Sequence, residues 1–362
     1  MKRYFAMLLA VCLLLCACGK QEPAPTDAPT QPTTQATEPA TKPTDPPTEP
    51  TEPPVLYRHP LTGAPLSEPW NGQITAIMMN NLKKAMPQCG VSAADIIYEI
   101  EVEGDITRNL ALFTDFTGIE AIGPIRSART AFNSVAVSFD APLVHCGGSQ
   151  GLALAGRYGS TADKIDNWEH IDQAYNGKYF YRDSYRSSIG YAWEHTLFTT
   201  GELMQQALDA KGYNTPTENT YGLRFDKDID LDGQPANEVT VKFKGGKTTK
   251  FTYNADKKNY TMYQHGQDHI DGNTGEVLTF KNVIAIYTKQ WYHSDGMHKF
   301  YDTIGSGDGY AAINGEIVPI NWSRESLRTP YTYTLEDGTP LTLDVGTSYV
   351  AVVGIKHDIA YQ

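Results

Sequence analysis

Residues 55–225 contain short apolar runs that are separated by glycine, proline and aspartate. The runs ITAIMMNN (74–81), DIIYEIEV (95–102), NLALF (109–113) and APLVHC (141–146) have the length and composition of β-strands. RTAFNSVAVSF (129–139) and SQGLALAGRY (149–158) instead carry apolar residues at helical spacing. Because strand and helix alternate, residues 55–225 are predicted to form an N-terminal α/β domain with a mixed sheet.

The pattern changes between this domain and the end of the chain. Thr199 and Glu202 have the spacing of a capping box, which predicts that a helix starts there. From residue 226 to residue 362, β-branched and aromatic runs are broken by Gly-Gly, Asn-Gly and Asp-Gly turns, and helical periodicity almost disappears. These residues are predicted to form a mainly antiparallel, β-rich C-terminal domain, which makes the fold class α+β / α/β overall.

The N-terminus has the pattern of a bacterial export signal. Lys2 and Arg3 precede an apolar run that ends at Ala17 and is too short to span a bilayer as a stable helix. The end of this run, Leu-Cys-Ala-Cys at 15–18, resembles the lipobox of bacterial lipoproteins, in which the cysteine after a small residue carries the lipid. Residues 1–18 are therefore predicted to be a lipoprotein signal peptide, with Cys18 lipidated and the protein anchored to the extracytoplasmic face of the cell membrane. The alternative is ordinary secretion with cleavage near Ala17.

Residues 19–54 consist almost entirely of Pro, Thr, Glu, Gln and Ala, which predicts a disordered linker with polyproline II character. The whole chain has a formal net charge of -12. Without the signal peptide (+2) and the linker (-4), the predicted domains carry -10. An acidic surface of this kind argues against nucleic acid as a partner.

Metal and cofactor chemistry finds little support in the sequence. Apart from the cysteines of residues 1–18, the chain has Cys89 and Cys146 and no Cys-x-x-Cys motif. Two buried thiols are the favoured interpretation, and one disulfide between them is the alternative. The loop DIDLDGQPANE (228–238) nearly fits a calcium loop, but Glu238 falls at position 11 instead of 12. The histidines at 145 and 195 have no local ligand spacing. No metal and no cofactor are predicted.

The strand DIIYEIEV and the turn after it place three glutamates on one face, since Glu99, Glu101 and Glu103 alternate with apolar residues. The commoner interpretation of such a pattern is a solvated strand face. The other is a functional site, because Gly104-Asp105 turns the chain and Arg108 follows at the strand end, where α/β sheets place their sites.

The stretch GPIRSART (123–130) raises the possibility of an anion site. Arg126 and Arg129 lie just before a predicted helix, and Ser127 is predicted to be its N-cap. Guanidinium groups and the N–H groups of a helix N-terminus both attract anions. The alternative for each arginine is a structural ion pair, with Glu99 or Glu103 as the partner.

Two further segments add candidates. In VHCGGSQG, His145 ends a predicted strand and Ser149 heads a predicted helix, so backbone N–H groups there would suit an oxyanion, although a tight turn alone would also explain the glycines. In YFYRDSYR and YAWEHTLF, Arg182 and His195 lie among aromatic residues.

Taken in order, HPLTGAPL, ADIIYEIEVEGDITRNLALF, IGPIRSART, VHCGGS, YRDSYRSS, HTLFTTGEL, DHIDGNTGEVLTFKNVIAIY and GSGDGYAAINGEIVPINW resemble the DUF3048 (YerB-like) family of bacterial lipoproteins. The resemblance covers nearly all of residues 57–353. It implies a lipid-anchored protein with separate N- and C-terminal family domains. It implies no catalytic roles, because the family is one of unknown function.

Two functional hypotheses follow. In the first, an arginine-rich cleft of the N-terminal domain, formed by Arg108, Arg126, Arg129, Ser149 and Arg182, binds an anionic envelope ligand or an envelope protein. In the second, the protein is an envelope hydrolase in which Glu99 or Glu103 is the general base, His145 or His195 is the acid, and the arginines stabilise the developing anion. The sequence leaves open whether the protein is an enzyme.

Overall fold

A computed structural model describes residues 57–148, 170–173, 177–213, 221–354 and 359–362. The described α-helices are α1 (Thr130–Ser138), α2 (Ser184–Ser188) and α3 (Gly201–Lys211). In this part of the chain, no helix has the length and apolar character that a membrane span requires. The predicted helix at 149–158, with Ser149, and the predicted lipidation site Cys18 lie outside the described residues.

Strands account for most of the regular structure. Up to residue 213 they are β1 (Tyr57–Arg58), β2 (Pro65–Leu66), β3 (Thr75–Asn80), β4 (Ile96–Val102), β5 (Ile106–Phe113), β6 (Leu143–His145), β7 (His170–Asp172), β8 (Tyr181–Arg182) and β9 (Leu197–Phe198). From residue 221 onward they are β10 (Phe225–Asp226), β11 (Gln234–Pro235), β12 (Glu238–Lys242), β13 (Thr248–Asn254), β14 (Asn259–Gln264), β15 (Gln267–Asp268), β16 (Thr279–Phe280), β17 (Asn282–Thr288), β18 (Gln290–Tyr292), β19 (Lys299–Tyr301), β20 (Gly305–Ile313), β21 (Glu316–Arg324), β22 (Thr332–Leu335), β23 (Leu343–Asp344), β24 (Ser348–Gly354) and β25 (Ile359–Tyr361).

One large mixed sheet organises the fold. Its strand order is β11-β21-β20-β17-β24-β4-β5-β3-β6-β7, and β22 pairs with β21. The pairs β24–β4, β3–β6 and β6–β7 are parallel, whereas β4–β5 and β3–β5 are antiparallel. The strands predicted at 74–81, 95–102, 109–113 and 141–146 are all present, as β3 to β6.

A second, antiparallel sheet lies against one face of the large sheet. Its order is β15-β14-β13-β12-β25, and β16 pairs with β14. Ile97 of β4 packs in a core with Phe251 and Met262 of this sheet. On the opposite face of the large sheet, Ile100 packs in another core with Phe132 of α1. Each apolar face of β4 is therefore covered, which explains why the whole strand is buried.

The start of α3 corrects one expectation. Thr200, not Thr199, is the N-cap residue, and its hydroxyl accepts a hydrogen bond from the N–H of Leu203 at 3.1 Å. The hydroxyl of Thr199 instead donates to the carbonyl of Tyr179 at 2.7 Å. Adjacent threonines compete for the cap position, and the one whose hydroxyl is used inside the fold is not free to cap.

The fold class is α+β, with a mixed sheet in the N-terminal region and antiparallel sheets in the C-terminal region, as the sequence predicts. Strand β24 of the C-terminal region pairs in parallel with β4 of the N-terminal region. From residue 57 onward, the described residues form one compact unit. The predicted division of this unit between residues 225 and 226 stays a prediction, and strands from both sides of it share the large sheet.

Candidate functional site

Residues 123–128, in the chain segment between β5 and α1, are hydrogen-bonded to β3 and to the residue after β6. The N–H of Arg126 donates to the carbonyl of Met78 in β3 at 3.0 Å. After β6, the N–H of Cys146 donates to the carbonyl of Arg126 at 3.2 Å. Arg126 therefore lies at the carboxyl ends of two parallel strands, the edge of a sheet where ligand sites commonly form.

Arg108, near the start of β5, lies beside residues 123–128. Its side chain is buried, and its Nη1 donates to the carbonyl oxygen of Ser127. Burial lowers the pKa of Arg108 to about 9, and repulsion from the nearby guanidinium groups of Arg129 and Arg126 acts in the same direction. Glu103 is the carboxylate that opposes this effect. Three like charges are therefore held close together.

Arg129 makes an ion pair with Glu103, which is the alternative that the sequence leaves open for each of the two arginines. Its Nε lies 3.0 Å and 2.9 Å from the two carboxylate oxygens of Glu103, and its Nη2 lies 2.9 Å from one of them. Arg129 is also the N-cap residue of α1, and no side chain caps this helix, so the prediction that Ser127 is the N-cap is wrong. The charge of Arg129 is neutralised by a two-point contact.

Arg126 is the least satisfied of the three arginines. Its side chain is half-buried, and its Nε is buried with no hydrogen-bond partner among the described residues. Burial lowers its pKa, the carboxylate of Glu194 raises it, and Arg129 lowers it again. A buried N–H donor that lacks an acceptor is unfavourable until something supplies one.

We call Arg108, Arg126, Arg129 and Glu103 the arginine cluster. Its three guanidinium groups and one carboxylate carry a net charge of +2, and the carboxylate of Glu194, which acts on Arg126, reduces the local excess to +1. The first turn of α1, which starts just after Arg129, contains no acidic side chain to offset this charge. The positive end of the helix dipole therefore adds to the field of the cluster.

Arg182 is a further arginine near Cys146. It donates from Nη1 to the carbonyl of Trp193 at 2.6 Å, and its guanidinium lies 4.0 Å from the centre of the Trp193 ring. Burial raises the pKa of the Cys146 thiol, and both Arg182 and Arg126 oppose this rise. Arg126 and Arg182 are therefore within electrostatic reach of the same thiol. Cys146 is unpaired and half-buried.

His145 ends β6 but its ring is turned toward neighbours other than the arginines. Its Nδ1 donates to the carbonyl of Gly147 at 2.9 Å, and its Nε2 lies 3.0 Å from Nδ1 of His170. One carboxylate oxygen of Asp172 lies 4.0 Å from Nδ1. Burial lowers the pKa of His145, so the ring is neutral at pH 7.

His195 is also buried and neutral. Its Nδ1 accepts a hydrogen bond from the side-chain amide of Asn80 at 2.8 Å, and burial lowers its pKa. Among the described residues, the hydrogen bonds of His195 and His145 involve neither Glu99 nor Glu103. The roles of these four residues in acid–base catalysis stay predictions.

Glu99 is fully buried, so the solvated strand face is the wrong interpretation for this residue. The second sheet covers it, and Lys247 forms an ion pair with its Oε1. Thr249 and Tyr349 donate to its Oε2 at 2.8 Å and 2.7 Å. Burial alone would raise the pKa of Glu99, but Lys247 and the hydrogen bonds from Thr107 and Tyr349 hold it below its ordinary value. The carboxylate is ionised and stabilises the contact between the two sheets.

Glu101, two residues after Glu99, is also a buried carboxylate with a lysine partner. It is buried and pairs with the buried ammonium of Lys299, whereas Glu103 is partly exposed in the turn after β4. Lys247 and Lys299 were missed by sequence reasoning because they lie 148 and 198 residues away from their partners. Neither lysine belongs to a local pattern that would point to a distant carboxylate.

Arg186 is a further residue whose role the sequence did not reveal. It is buried, and it donates from Nη1 to the carbonyl of Ala85 at 2.8 Å and from Nη2 to the carbonyl of Pro87. Its guanidinium lies 4.7 Å from the centre of the Phe198 ring. Arg186 therefore fastens the segment around α2 to the turn after β3.

Across the described ranges, no group of three or more His, Cys, Asp or Glu side chains has a metal-binding arrangement.

The chain matches two models of one protein family. The description "Protein of unknown function (DUF3048) N-terminal domain" applies to residues 61–214, and "Protein of unknown function (DUF3048) C-terminal domain" applies to residues 239–350. A curated protein of Bacillus subtilis strain 168, named "Putative lipoprotein YerB", is 29% identical over 301 residues, which cover 81% of this chain and 85% of that protein.

The fold is also similar to a solved structure. The crystal structure of the YerB protein from Bacillus subtilis superposes with a TM-score of 0.70 at 25% identity, covering 84% of this chain and 99% of that one. Sequence and fold agree over both regions, and the chain belongs to the DUF3048 family.

Proposed function

We propose that this protein is a membrane-anchored lipoprotein that binds an anionic ligand of the cell envelope at the arginine cluster. The observation that carries the proposal is the excess of positive charge there. Burial and the two neighbouring guanidinium groups lower the pKa of Arg108 to about 9, and one carboxylate, Glu103, opposes them. Like charges held together cost stability, and such costs are typical of binding sites.

The donors of the cluster favour a ligand with several oxygen atoms. Arg126 has a buried Nε without an acceptor among the described residues, and the N-terminus of α1 next to it lacks a side-chain cap. A phosphate or a carboxylate satisfies both kinds of donor at once. A teichoic-acid phosphate and a peptidoglycan carboxylate share this chemistry.

The membrane anchor is the second part of the proposal. The lipobox-like residues 15–18 and the similarity to a curated protein named as a lipoprotein both support lipidation of Cys18. The Pro/Thr-rich residues 19–54 would then act as a spacer between the membrane and the folded part of the chain.

Cys18→Ala is expected to abolish lipidation, because a methyl group cannot accept the diacylglyceryl chain that the thiol accepts. Metabolic labelling with a radioactive fatty acid, followed by membrane fractionation, measures the effect. Cys16→Ala is the matched control and is expected to keep the label. Equal labelling of Cys18→Ala and wild type would contradict the proposed anchor.

Arg126→Gln is expected to weaken binding of pyrophosphate by about tenfold or more, because a charge-assisted hydrogen bond contributes about 1.5–3 kcal/mol. The fold should be retained, since Arg126 makes no ion pair among the described residues that the change would break. Isothermal titration calorimetry at low ionic strength measures the affinity.

Arg58→Gln is the matched control, because Arg58 is an exposed arginine of β1 that lies outside the cluster. Its affinity for pyrophosphate should equal that of wild type. If wild type does not bind pyrophosphate, or if the two variants lose affinity equally, the cluster is not the binding site.

A further inference from the structure

A cavity of about 330 Å³ lies where the turn after β3 meets the β14–β15 hairpin. Lys83, Met86 and Pro87 line one side, and residues from Gln264 to Ile270 line the other. It shares no residue with the arginine cluster. Its size is that of a small-molecule site.

The polar side chains behind this cavity are oriented by one buried charge. Glu99 is ionised, so its oxygens can only accept hydrogen bonds. The amide nitrogen of Asn81 donates to Oε1 of Glu99 at 3.0 Å and to the hydroxyl of Thr107 at 2.9 Å. Asn81 therefore turns its amide nitrogen toward Glu99 and its Oδ1 the other way.

The next side chain toward the cavity is Gln264. Because Oδ1 of Asn81 is an acceptor, the group that meets it at 3.0 Å is the amide nitrogen of Gln264. The same nitrogen donates to Nδ1 of His269, whose Nε2 donates to Gln88 at 2.8 Å. Burial lowers the pKa of His269 to about 3, in agreement with a neutral ring that accepts at one nitrogen and donates at the other.

These contacts leave one polar atom without a partner. With the amide nitrogen of Gln264 used twice, Oε1 is directed elsewhere, and it is buried with no donor among the described residues. An amide flip would not resolve this, since it would bring Oε1 against the Oδ1 of Asn81 and the accepting nitrogen of His269. Gln264 lines the cavity, so a bound molecule with an N–H or O–H group would supply the missing donor.

The rest of the lining narrows the ligand class. His265 donates from Nε2 to the carbonyl of Asn81 at 3.0 Å, which leaves its Nδ1 as a second acceptor. Lys83 and Asp268 are exposed and place one charge of each sign at the rim. Met86 and Ile270 add apolar surface. The cavity therefore offers hydrogen-bond acceptors inside, one charge of each sign at its rim and apolar walls. A zwitterionic ligand that carries N–H groups matches these features.

We propose that this cavity binds an amino acid or a short peptide, which donates an N–H hydrogen bond to Oε1 of Gln264. The Asp268 carboxylate faces the ammonium group of the ligand, and the Lys83 ammonium faces its carboxylate. This site is separate from the anion site, and neither depends on the other.

Isothermal titration calorimetry of the full-length protein with alanylalanine tests the site. Wild type is expected to bind the dipeptide, and Gln264→Met, which keeps the side-chain length without the amide, to bind it at least about tenfold more weakly. Gln88→Met is the matched control, because it breaks the same polar network at His269 but leaves Gln264 in the cavity wall. It should bind nearly as wild type does.

N-Acetylproline dimethylamide has a similar size and no N–H group, so it is expected not to bind. Lys83→Ala and Asp268→Ala change exposed side chains and test the rim if Gln264→Met does not fold; each should weaken dipeptide binding at least about threefold. The proposal is overturned if wild type gives no heat with about 10 mM alanylalanine. It is equally overturned if both rim variants bind as wild type does, or if the compound without N–H groups binds as tightly as the dipeptide.

Discussion

Lys247→Met is expected to lower the free energy of unfolding by about 3–5 kcal/mol, because it leaves the carboxylate of Glu99 buried without its charge partner. Glu99 is fully buried, and its hydrogen-bond partners other than Lys247 are neutral hydroxyl and amide groups. Methionine has nearly the length of lysine, so the loss of packing is small. Urea unfolding at pH 7 measures the effect.

The double variant Lys247→Met/Glu99→Gln is the control. Removing both charges leaves no ion to desolvate, so the double variant should be more stable than the single one. The single variant should also gain stability relative to wild type as the pH falls from 7 to 5. An unpartnered buried carboxyl has a raised pKa, so the folded state takes up a proton before the unfolded state does. A single variant within about 1 kcal/mol of wild type would contradict the role given to this pair.

The protein is expected to lose stability in mild acid, and His269 is a main cause. Burial lowers the pKa of His269 to about 3, Lys247 and His265 act in the same direction, and Glu99 and Asp271 oppose them. The unfolded chain takes up the proton near pH 6.5, the folded chain does not, and stability therefore falls as the pH drops below 6.5. The expected loss is about 1.4 kcal/mol for each pH unit.

His269→Gln isolates this contribution, since glutamine retains one donor and one acceptor but does not titrate. Between pH 6.5 and pH 4.5, wild type should lose about 2 kcal/mol more than the variant, because His269 is already half protonated in the unfolded chain at pH 6.5. Urea unfolding at several pH values gives both curves. Buried His145 and His195 also have lowered pKa values and act in both proteins, so they cancel in the difference. If the free energies of unfolding of the two proteins fall in parallel with pH, His269 takes up its proton as readily in the folded state as in the unfolded chain, and this account of His269 is wrong.

The sequence predicts the elements of this fold better than its tertiary contacts. The strands β3 to β6 and helix α1 follow from apolar periodicity, which is a local property of the chain. The pairing of β4 with β24 joins residues about 250 positions apart, and no local pattern encodes it. The face of β4 that carries Glu99 and Glu101 has the alternation of a solvated strand, yet the second sheet covers it, because distant lysines neutralise both carboxylates.

The sequence likewise predicts only part of the candidate site. The GPIRSART motif correctly indicates arginines near a helix start. It leaves open whether an arginine forms an ion pair and with which glutamate, and the structure pairs Arg129 with Glu103. The motif does not reveal that Arg108 is buried beside it, with its guanidinium on the carbonyl of Ser127. It also places the helix cap at Ser127, whereas the backbone stays extended up to Arg129 and the helix begins only at Thr130. The cavity beside Gln264 depends on the two regions meeting in space, so the sequence alone could not indicate it.

The central claim is that the arginine cluster binds an anion, and the side-chain Nε–H of Arg126 reports on it most directly. This group is buried without an acceptor among the described residues. Its resonance can be assigned in the nitrogen-15 spectrum by its loss in Arg126→Gln. The account predicts that the resonance shifts and saturates as pyrophosphate is added at pH 7. A resonance that does not move at about 10 mM pyrophosphate, a concentration that saturates a site of about 1 mM dissociation constant, would contradict it.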